Sequence, residues 1–277
     1  MKRFSLELLY HIVGIGSASG LFYKDGSIFI ASDNAGYLYE FNTVSQVLSK
    51  SKLLNSHILE NIPKRQKPDF EAVAEKDGNL YLFGSGSTDK RNTAFVVDLK
   101  TRDASTRNLT DLYANMRQVS DIDADNFNIE GAVASEGRWY FFQRGNGQGG
   151  NNGIFEVTGD LENFRDIKYF AKELPRIEHV NTSFTDAVFA DGAFWFLASA
   201  EDTNSTYEDG EVLGSLIGKI DPQSMEIVFS QQITDTHKLE GLTFYSKTAT
   251  GISFLLCEDN DTDMMESEIF KITLQLD

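Results

Sequence analysis

Glu130-Gly131-Ala132-Val133-Ala134-Ser135-Glu136-Gly137 is the stretch on which the fold turns, because it recurs along the chain. It aligns without gaps with Ser19-Gly20-Leu21-Phe22-Tyr23-Lys24-Asp25-Gly26, Glu71-Ala72-Val73-Ala74-Glu75-Lys76-Asp77-Gly78 and Thr185-Asp186-Ala187-Val188-Phe189-Ala190-Asp191-Gly192. Glu240-Gly241-Leu242-Thr243-Phe244-Tyr245-Ser246 matches its first part. The leading residues are separated by 52, 59, 55 and 55 positions. A repeat of roughly 50 residues marks an array of supersecondary units. Each copy opens on a polar residue and continues as a strand, and the first four close on an acidic-Gly pair. That pair supplies the positive φ angles a two-residue hairpin turn requires.

Working outward, each hairpin returns as a strand rich in aromatic and branched residues: 27–32, 79–84, 138–143, 193–199 and 251–257. A polar loop and a third strand follow, at 37–41, 94–99, 153–157, 215–220 and 268–274. Fourth strands complete the first four units, for example 167–170 and 226–230. The fifth unit runs out of chain after its third strand, while residues 5–12 precede the first unit and have none of their own. Pairing these two ends closes a ring and protects an edge that would otherwise invite aggregation. The expectation is all-β: a five-bladed β-propeller with four antiparallel strands per blade, residues 1–277 forming one domain closed by the N-terminal strand. A helical turn is expected near 111–118. A β-sandwich also has many short strands, but has no reason to repeat one strand-and-turn unit at a fixed period.

Composition narrows the function. A formal charge of −17 argues against nucleic acid, whose phosphates need clustered Lys and Arg. No run of about eighteen apolar residues is present to span a membrane. Met1-Lys2-Arg3-Phe4 imitates the start of a signal peptide, but Glu7 and His11 interrupt the apolar run that should follow. The single Cys257 excludes an internal disulfide. These features give the expectation of a cytoplasmic monomer without nucleic-acid or membrane partners, acting on a small anionic ligand.

The repeat starts carry the chemistry. In a propeller the first strand of each blade is innermost, so Ser19, Glu71, Glu130, Thr185 and Glu240 should gather around the axis. Carboxylates crowded in a narrow channel either take up protons or bind a cation. Oxygen ligands without thiolate or paired His suit a hard cation, Ca²⁺ ahead of Mg²⁺ and not zinc. Ser19 and Thr185 add hydroxyl or carbonyl oxygens. The alternative is a water-filled channel lined by partly protonated glutamates.

Hairpin geometry puts the loop after each second strand on the same face as the repeat starts. Asp33, Ser85, Arg144, Glu201 and Glu258 lie on these loops, with Lys90 and Arg91 just beyond the second. Arg144 is suited to an anionic oxygen, and Asp33 or Glu201 to orienting an attacking water. Ser85, Lys90 and Glu258 are expected to contact substrate. Other motifs fail. Asp121-Ile122-Asp123-Ala124-Asp125 and Asp259-Asn260-Asp261-Thr262-Asp263 begin like EF-hand loops but have Asn126 and Met264 where that loop needs Gly. The Gly-rich run from Gly145 lacks the Lys-Ser/Thr of a P-loop.

The order Ser19, Glu71, Glu130, Thr185, Glu240 resembles the axial ligand ring of the calcium-activated apyrases, which reads Ser, Glu, Glu, Ser, Glu. Asp33, Ser199-Ala200-Glu201-Asp202, Arg138-Trp139 and Arg144 also fit positions of that family. The resemblance covers the five inner hairpins. It implies a five-bladed propeller with a central Ca²⁺ and a Ca²⁺-dependent hydrolase of phosphoanhydrides or phosphoesters. The chain departs from the family in lacking its aspartate-rich N-terminal strand, and in having Asn34, Ser87 and Asp89 where the family has Arg, Lys and Trp. A looser similarity to bacterial phytase-like propellers points to the same metal and phosphate chemistry. A non-catalytic propeller whose Ca²⁺ pins the blades, its loop face serving as a binding surface, is the other reading.

Overall fold

In a computed structural model, residues 3–145, 150–202, 210–258 and 264–276 are described. The acidic run 259–263 and residues 146–149 of the third-blade loop, both singled out above, lie outside the described residues. Five four-stranded antiparallel sheets form the blades of a β-propeller. Blade 1 is β2 (Ala18–Lys24), β3 (Ser27–Ser32), β4 (Tyr37–Asn42) and β5 (Leu48–Lys52). Blade 2 is β6 (Phe70–Lys76), β7 (Asn79–Gly84), β8 (Thr93–Asp98) and β9 (Ala104–Asn108). Helix α1 (Thr110–Ser120) leads to blade 3: β10 (Ile129–Ser135), β11 (Arg138–Gln143), β12 (Gly153–Gly159) and β13 (Phe164–Ala171). A small hairpin, β14 (Arg176–Ile177) and β15 (Val180–Asn181), precedes blade 4: β16 (Ser183–Ala190), β17 (Ala193–Asp202), β18 (Glu211–Ile220) and β19 (Ile227–Thr234).

Blade 5 holds β20 (Leu239–Lys247), β21 (Gly251–Glu258) and β22 (Glu266–Gln275), and its outermost strand is β1 (Phe4–Val13). β1 pairs antiparallel with β22, Phe4 opposite Leu274 and Val13 opposite Glu266, so the expected closure is present. The inner strands β2, β6, β10, β16 and β20 pack against one another in ring order.

The cores lie between blades. Each of five buried apolar clusters joins two neighbouring blades. Between blades 2 and 3, Trp139 packs its ring 4.9 Å from Tyr81 and 5.6 Å from Phe83, with Leu112, Tyr113 and Met116 of α1 covering one end. The Tyr113 hydroxyl donates to the Gly84 carbonyl at 2.8 Å, which fixes α1 to blade 2. The hairpin tips behave as their sequence requires: Asp25-Gly26, Asp77-Gly78, Glu136-Gly137 and Asp191-Gly192 all have positive φ, from 49° to 81°. Among the described residues no helix is long and apolar enough to cross a membrane.

Close packing leaves no room at Gly218 of β18, where a Cβ would lie 2.1 Å from Phe196 Cζ. Phe196 is fully buried, so its ring has nowhere to retreat. Gly218→Ala should therefore cost roughly 1–3 kcal/mol in urea unfolding, as overpacking does. A second change, Phe196→Leu, should recover part of that loss, and a double-mutant cycle reads the coupling.

Candidate axial site

Every inner strand is irregular at its repeat start, and β20 is irregular a second time between Phe244 and Ser246. The register against the second strand shifts between Ala18 and Gly20, Phe70 and Ala72, Ile129 and Gly131, Phe184 and Asp186, and Leu239 and Gly241. The bulged residues are thus Ser19, Glu71, Glu130, Thr185 and Glu240. A bulge takes one residue out of the ladder and re-aims its side chain. Ser19, Glu130, Thr185 and Glu240 are at most 3% exposed, and Glu71 is half-buried.

The two hydroxyls stitch blades together. Ser19 Oγ donates to the Phe70 carbonyl, the residue before the next blade's bulge. Thr185 Oγ1 donates to Leu239 O at 2.7 Å, the same relation between blades 4 and 5. The adjacent Asp186 accepts Ala187 N–H and Leu242 N–H, each at 2.7 Å, so both its oxygens clasp backbone between blades 4 and 5.

The glutamates are woven into ion pairs. Glu130 Oε1 accepts from Arg144 Nη1 at 3.1 Å and from Asn128 Nδ2 at 2.6 Å. Arg144 Nη2 donates to Glu201 Oε2 at 2.7 Å. Lys238 Nζ lies 2.8 Å from Glu201 Oε1 and 3.2 Å from Glu240 Oε1. Across the axis, Asp69 is held by Lys67 at 2.9 Å and by Arg91 at 2.8 Å, while Lys67 also pairs with Asp33. Each half of the site thus centres on one carboxylate gripped by a Lys and an Arg: Glu201 by Lys238 and Arg144, Asp69 by Lys67 and Arg91.

The electrostatics follow from these contacts. Burial alone would raise Glu201, but Arg144 and Lys238 outweigh it and hold the carboxyl below its ordinary range. Burial likewise opposes ionisation of Asp69, and Lys67 with Arg91 depress it. Burial pushes Glu71 well up, reinforced by Asp69, Glu130 and Asp33. Burial raises Glu130 too, with Arg144 opposing, and raises Asp186 despite its backbone donors. Among the described residues, the trio of acids whose oxygens all lie within 4.8 Å of one another is Asp33, Asp69 and Glu71, with Lys67 beside them. Glu71, Glu130 and Glu240 are not gathered that closely.

The remaining residues singled out from sequence divide. Ser85 is buried and donates to Asp69 Oδ2 at 2.5 Å. Lys90 is exposed on a short turn, and its neighbour Arg91 is the residue that reaches in. Glu258 turns toward His237, whose Nδ1 lies 2.9 Å from each of its oxygens. Lys67, Asp69, Asn128 and Lys238 were missed by sequence reasoning, yet three of them share a signal. Asp69, Asn128 and Lys238 each stand two residues before a bulged glutamate.

A network of backbone hydrogen bonds stiffens this face. Asp69 N–H donates to Asp33 O, Ser85 N–H to Asp69 O, Ile129 N–H to Ser85 O and Arg144 N–H to Asn128 O, at 2.8–3.0 Å. The site is therefore built on fixed strand ends rather than on free loops. Clefts of about 310 and 340 Å³ flank Glu136 and Arg138 at a hairpin tip, on the opposite face from these acids.

Among solved structures, the glutaminyl cyclase of Myxococcus xanthus matches with a TM-score of 0.57 at 11% identity, covering 100% of this chain and 99% of that one. The PQQ-bound aldose sugar dehydrogenase of Streptomyces coelicolor matches with a TM-score of 0.55 at 12% identity, covering 99% of each chain. At such identities the likeness is one of fold. No curated protein matches the sequence. A family model described as "Family of unknown function (DUF6929)" matches residues 14–274.

Proposed function

The chain thus belongs to the DUF6929 family, and for this member of it we propose a calcium-binding propeller whose axial site holds a small anionic ligand for hydrolysis. Charge balance carries this reading. Seven carboxylates meet around the axis: Asp33, Asp69, Glu71, Glu130, Asp186, Glu201 and Glu240. Four bases offset them: Lys67, Arg91, Arg144 and Lys238. Three negative charges remain when all are ionised; burial pushes Glu71, Glu130 and Asp186 toward their protonated forms, and a bound cation would let them ionise. The donor set is all oxygen, so the residues fit a hard divalent cation. Asp33, Asp69 and Glu71, whose oxygens lie within 4.8 Å of one another, are the acids that would hold it, and Ca²⁺ suits such a set ahead of Mg²⁺.

A bound cation would polarise an anionic ligand oxygen and lower the pKa of water. The chain's own residues set the rest. Arg144 and Lys238 are the bases of one wall, and Glu201 holds both of them in place. Glu201 has each oxygen engaged, so it serves as a clamp, and Asp33 beside Lys67 is the carboxylate suited to orienting water. The apyrase-like order of the ring supports phosphate esters or anhydrides as the ligand class. One observation favours a second, non-catalytic reading: Arg144 spends both terminal nitrogens on Glu130 and Glu201 rather than facing outward.

Stripped of metal and given saturating Ca²⁺, at about 100 times Kd, the protein should gain about 2.7 kcal/mol. At roughly 2–4 °C per kcal/mol this is a rise in Tm of several degrees. EDTA should reverse it, and an unchanged melting curve would remove the cation from the account. Phosphate release from nucleotides, sugar phosphates and phytate, with an ester and lactone panel alongside, then separates hydrolase from binding module. Calcium bound with every substrate intact would leave the binding module.

A further inference from the structure

The acids that come within 4.8 Å of one another, Asp33, Asp69 and Glu71, already hold a cation of the chain's own. Lys67 Nζ lies 2.9 Å from Asp69 Oδ1 and pairs with Asp33 Oδ2. The other oxygen of Asp69 is taken as well: Arg91 Nη1 lies 2.8 Å from Oδ2, and Ser85 Oγ donates to it at 2.5 Å. Asp69 is 4% exposed. Its carboxylate thus meets protein donors on both oxygens, and a further cation at the trio must share it with an ammonium. Two cations drawn to one buried carboxylate repel strongly, since little water screens them.

Of the two bases on Asp69, Lys67 is the one that can leave. Arg91 is anchored elsewhere, Nη1 donating to Ser87 Oγ at 2.6 Å and Nη2 to Lys64 O at 2.9 Å. Lys67 stands outside every strand, on the connection between β5 and β6. Its N–H donates to Pro63 O at 3.0 Å, which fixes the backbone while the flexible four-carbon stem can turn. The side chains of Lys67 and Asp33 are each 13% exposed and Glu71 is half-buried, so the trio is not sealed from solvent.

We propose that Lys67 is the resident counter-ion of this trio, and that a divalent cation binds there only in exchange for it. The exchange rests on the calcium reading of the axial site and governs the affinity of that site. Lys67 keeps Asp33 and Asp69 paired while the metal is absent, and its withdrawal returns Asp33 Oδ2 and Asp69 Oδ1 to the incoming ion. Charge decides the outcome: a divalent ion attracts the acids more strongly than the ammonium it replaces, whereas a monovalent ion offers no gain.

Lys67→Met removes the charge and keeps most of the bulk. Isothermal titration of Ca²⁺ into chelator-stripped protein should show binding to Lys67→Met roughly tenfold or more tighter than to wild type. In EDTA the variant should melt below wild type, because Asp33 and Asp69 lose their cation, and Ca²⁺ should raise its Tm by more than it raises that of wild type. Lys67→Gln repeats the comparison if the methionine variant fails to fold. Wild-type crystals soaked in calcium chloride, or in sodium chloride of equal ionic strength, give a reading that needs no variant. Calcium should leave Lys67 Nζ more than about 4 Å from both carboxylates, and sodium should leave it in place. Equal or weaker Ca²⁺ binding by the variant, or calcium at the trio with Lys67 still paired, overturns the exchange and spares the calcium reading. Binding by the variant alone upholds the exchange and shows that Lys67 keeps calcium out of the wild type. Binding by neither protein removes both.

Discussion

Lys238→Met should lower the unfolding free energy by roughly 3–5 kcal/mol at neutral pH, because it leaves carboxylates buried without their cation. Lys238 is 5% exposed and bridges Glu201 and Glu240. Methionine keeps most of the side chain's bulk, so the loss reports charge and not a cavity. The effect has a definite pH dependence. Glu201 is depressed in the folded protein, by Arg144 and Lys238 against the opposing effect of burial. A depressed carboxyl stabilises the fold above its unfolded value of 4.5, and that contribution is lost as pH falls through the folded value. The gap between variant and wild type in urea unfolding should therefore be full near neutrality and narrow below pH 4.5. A gap that widens in acid would show that Lys238 is not held there by carboxylates.

Removing residues 4–13 should have the larger effect, abolishing the cooperative melt. β1 is the outer strand of blade 5, and it covers the edge of β22 from Glu266 to Leu274. Its Ile12 is 2% exposed and sits with Ile15, Leu21, Ile28 and Ile269 in the cluster that joins blades 5 and 1. Truncation opens that cluster and bares a long strand edge, the usual template for aggregation. Size-exclusion chromatography should show large species in place of the native peak. A truncated protein with wild-type elution and melting would mean the ring does not need its closing strand.

How much of this was legible in the sequence depended on what repeats. Four of the five inner hairpins were readable because their Asp-Gly and Glu-Gly tips supply the positive φ such turns need, and all four tips adopt it. The repeat starts were readable as a set, and the bulges at Ser19, Glu71, Glu130, Thr185 and Glu240 explain why a polar residue stands there: each is taken out of the ladder. The closing strand followed from a missing partner, and α1 at Thr110–Ser120 is longer than the helical turn expected near 111–118.

Lys67 and Lys238 were not legible, because the cations around the axis repeat in neither type nor spacing. Lys67 stands four residues before Glu71, whereas Lys238 stands two before Glu240. Lys90 and Arg91 are neighbours on a one-turn helix, and only the turn's geometry decides which reaches Asp69. Arg144 could be placed on the right face, but its commitment to Glu201 crosses from blade 3 to blade 4, a contact that no local pattern encodes.

In the proposed site, the excess negative charge around the axis binds one divalent cation through Glu71. Isothermal titration of Ca²⁺ into chelator-stripped wild type and Glu71→Gln tests it most directly. Wild type should bind saturably at one ion per chain, and binding should be lost or strongly weakened in Glu71→Gln while the variant remains folded. Wild-type protein that gives no saturable heat, or a Glu71→Gln variant that binds Ca²⁺ as wild type does, would contradict it.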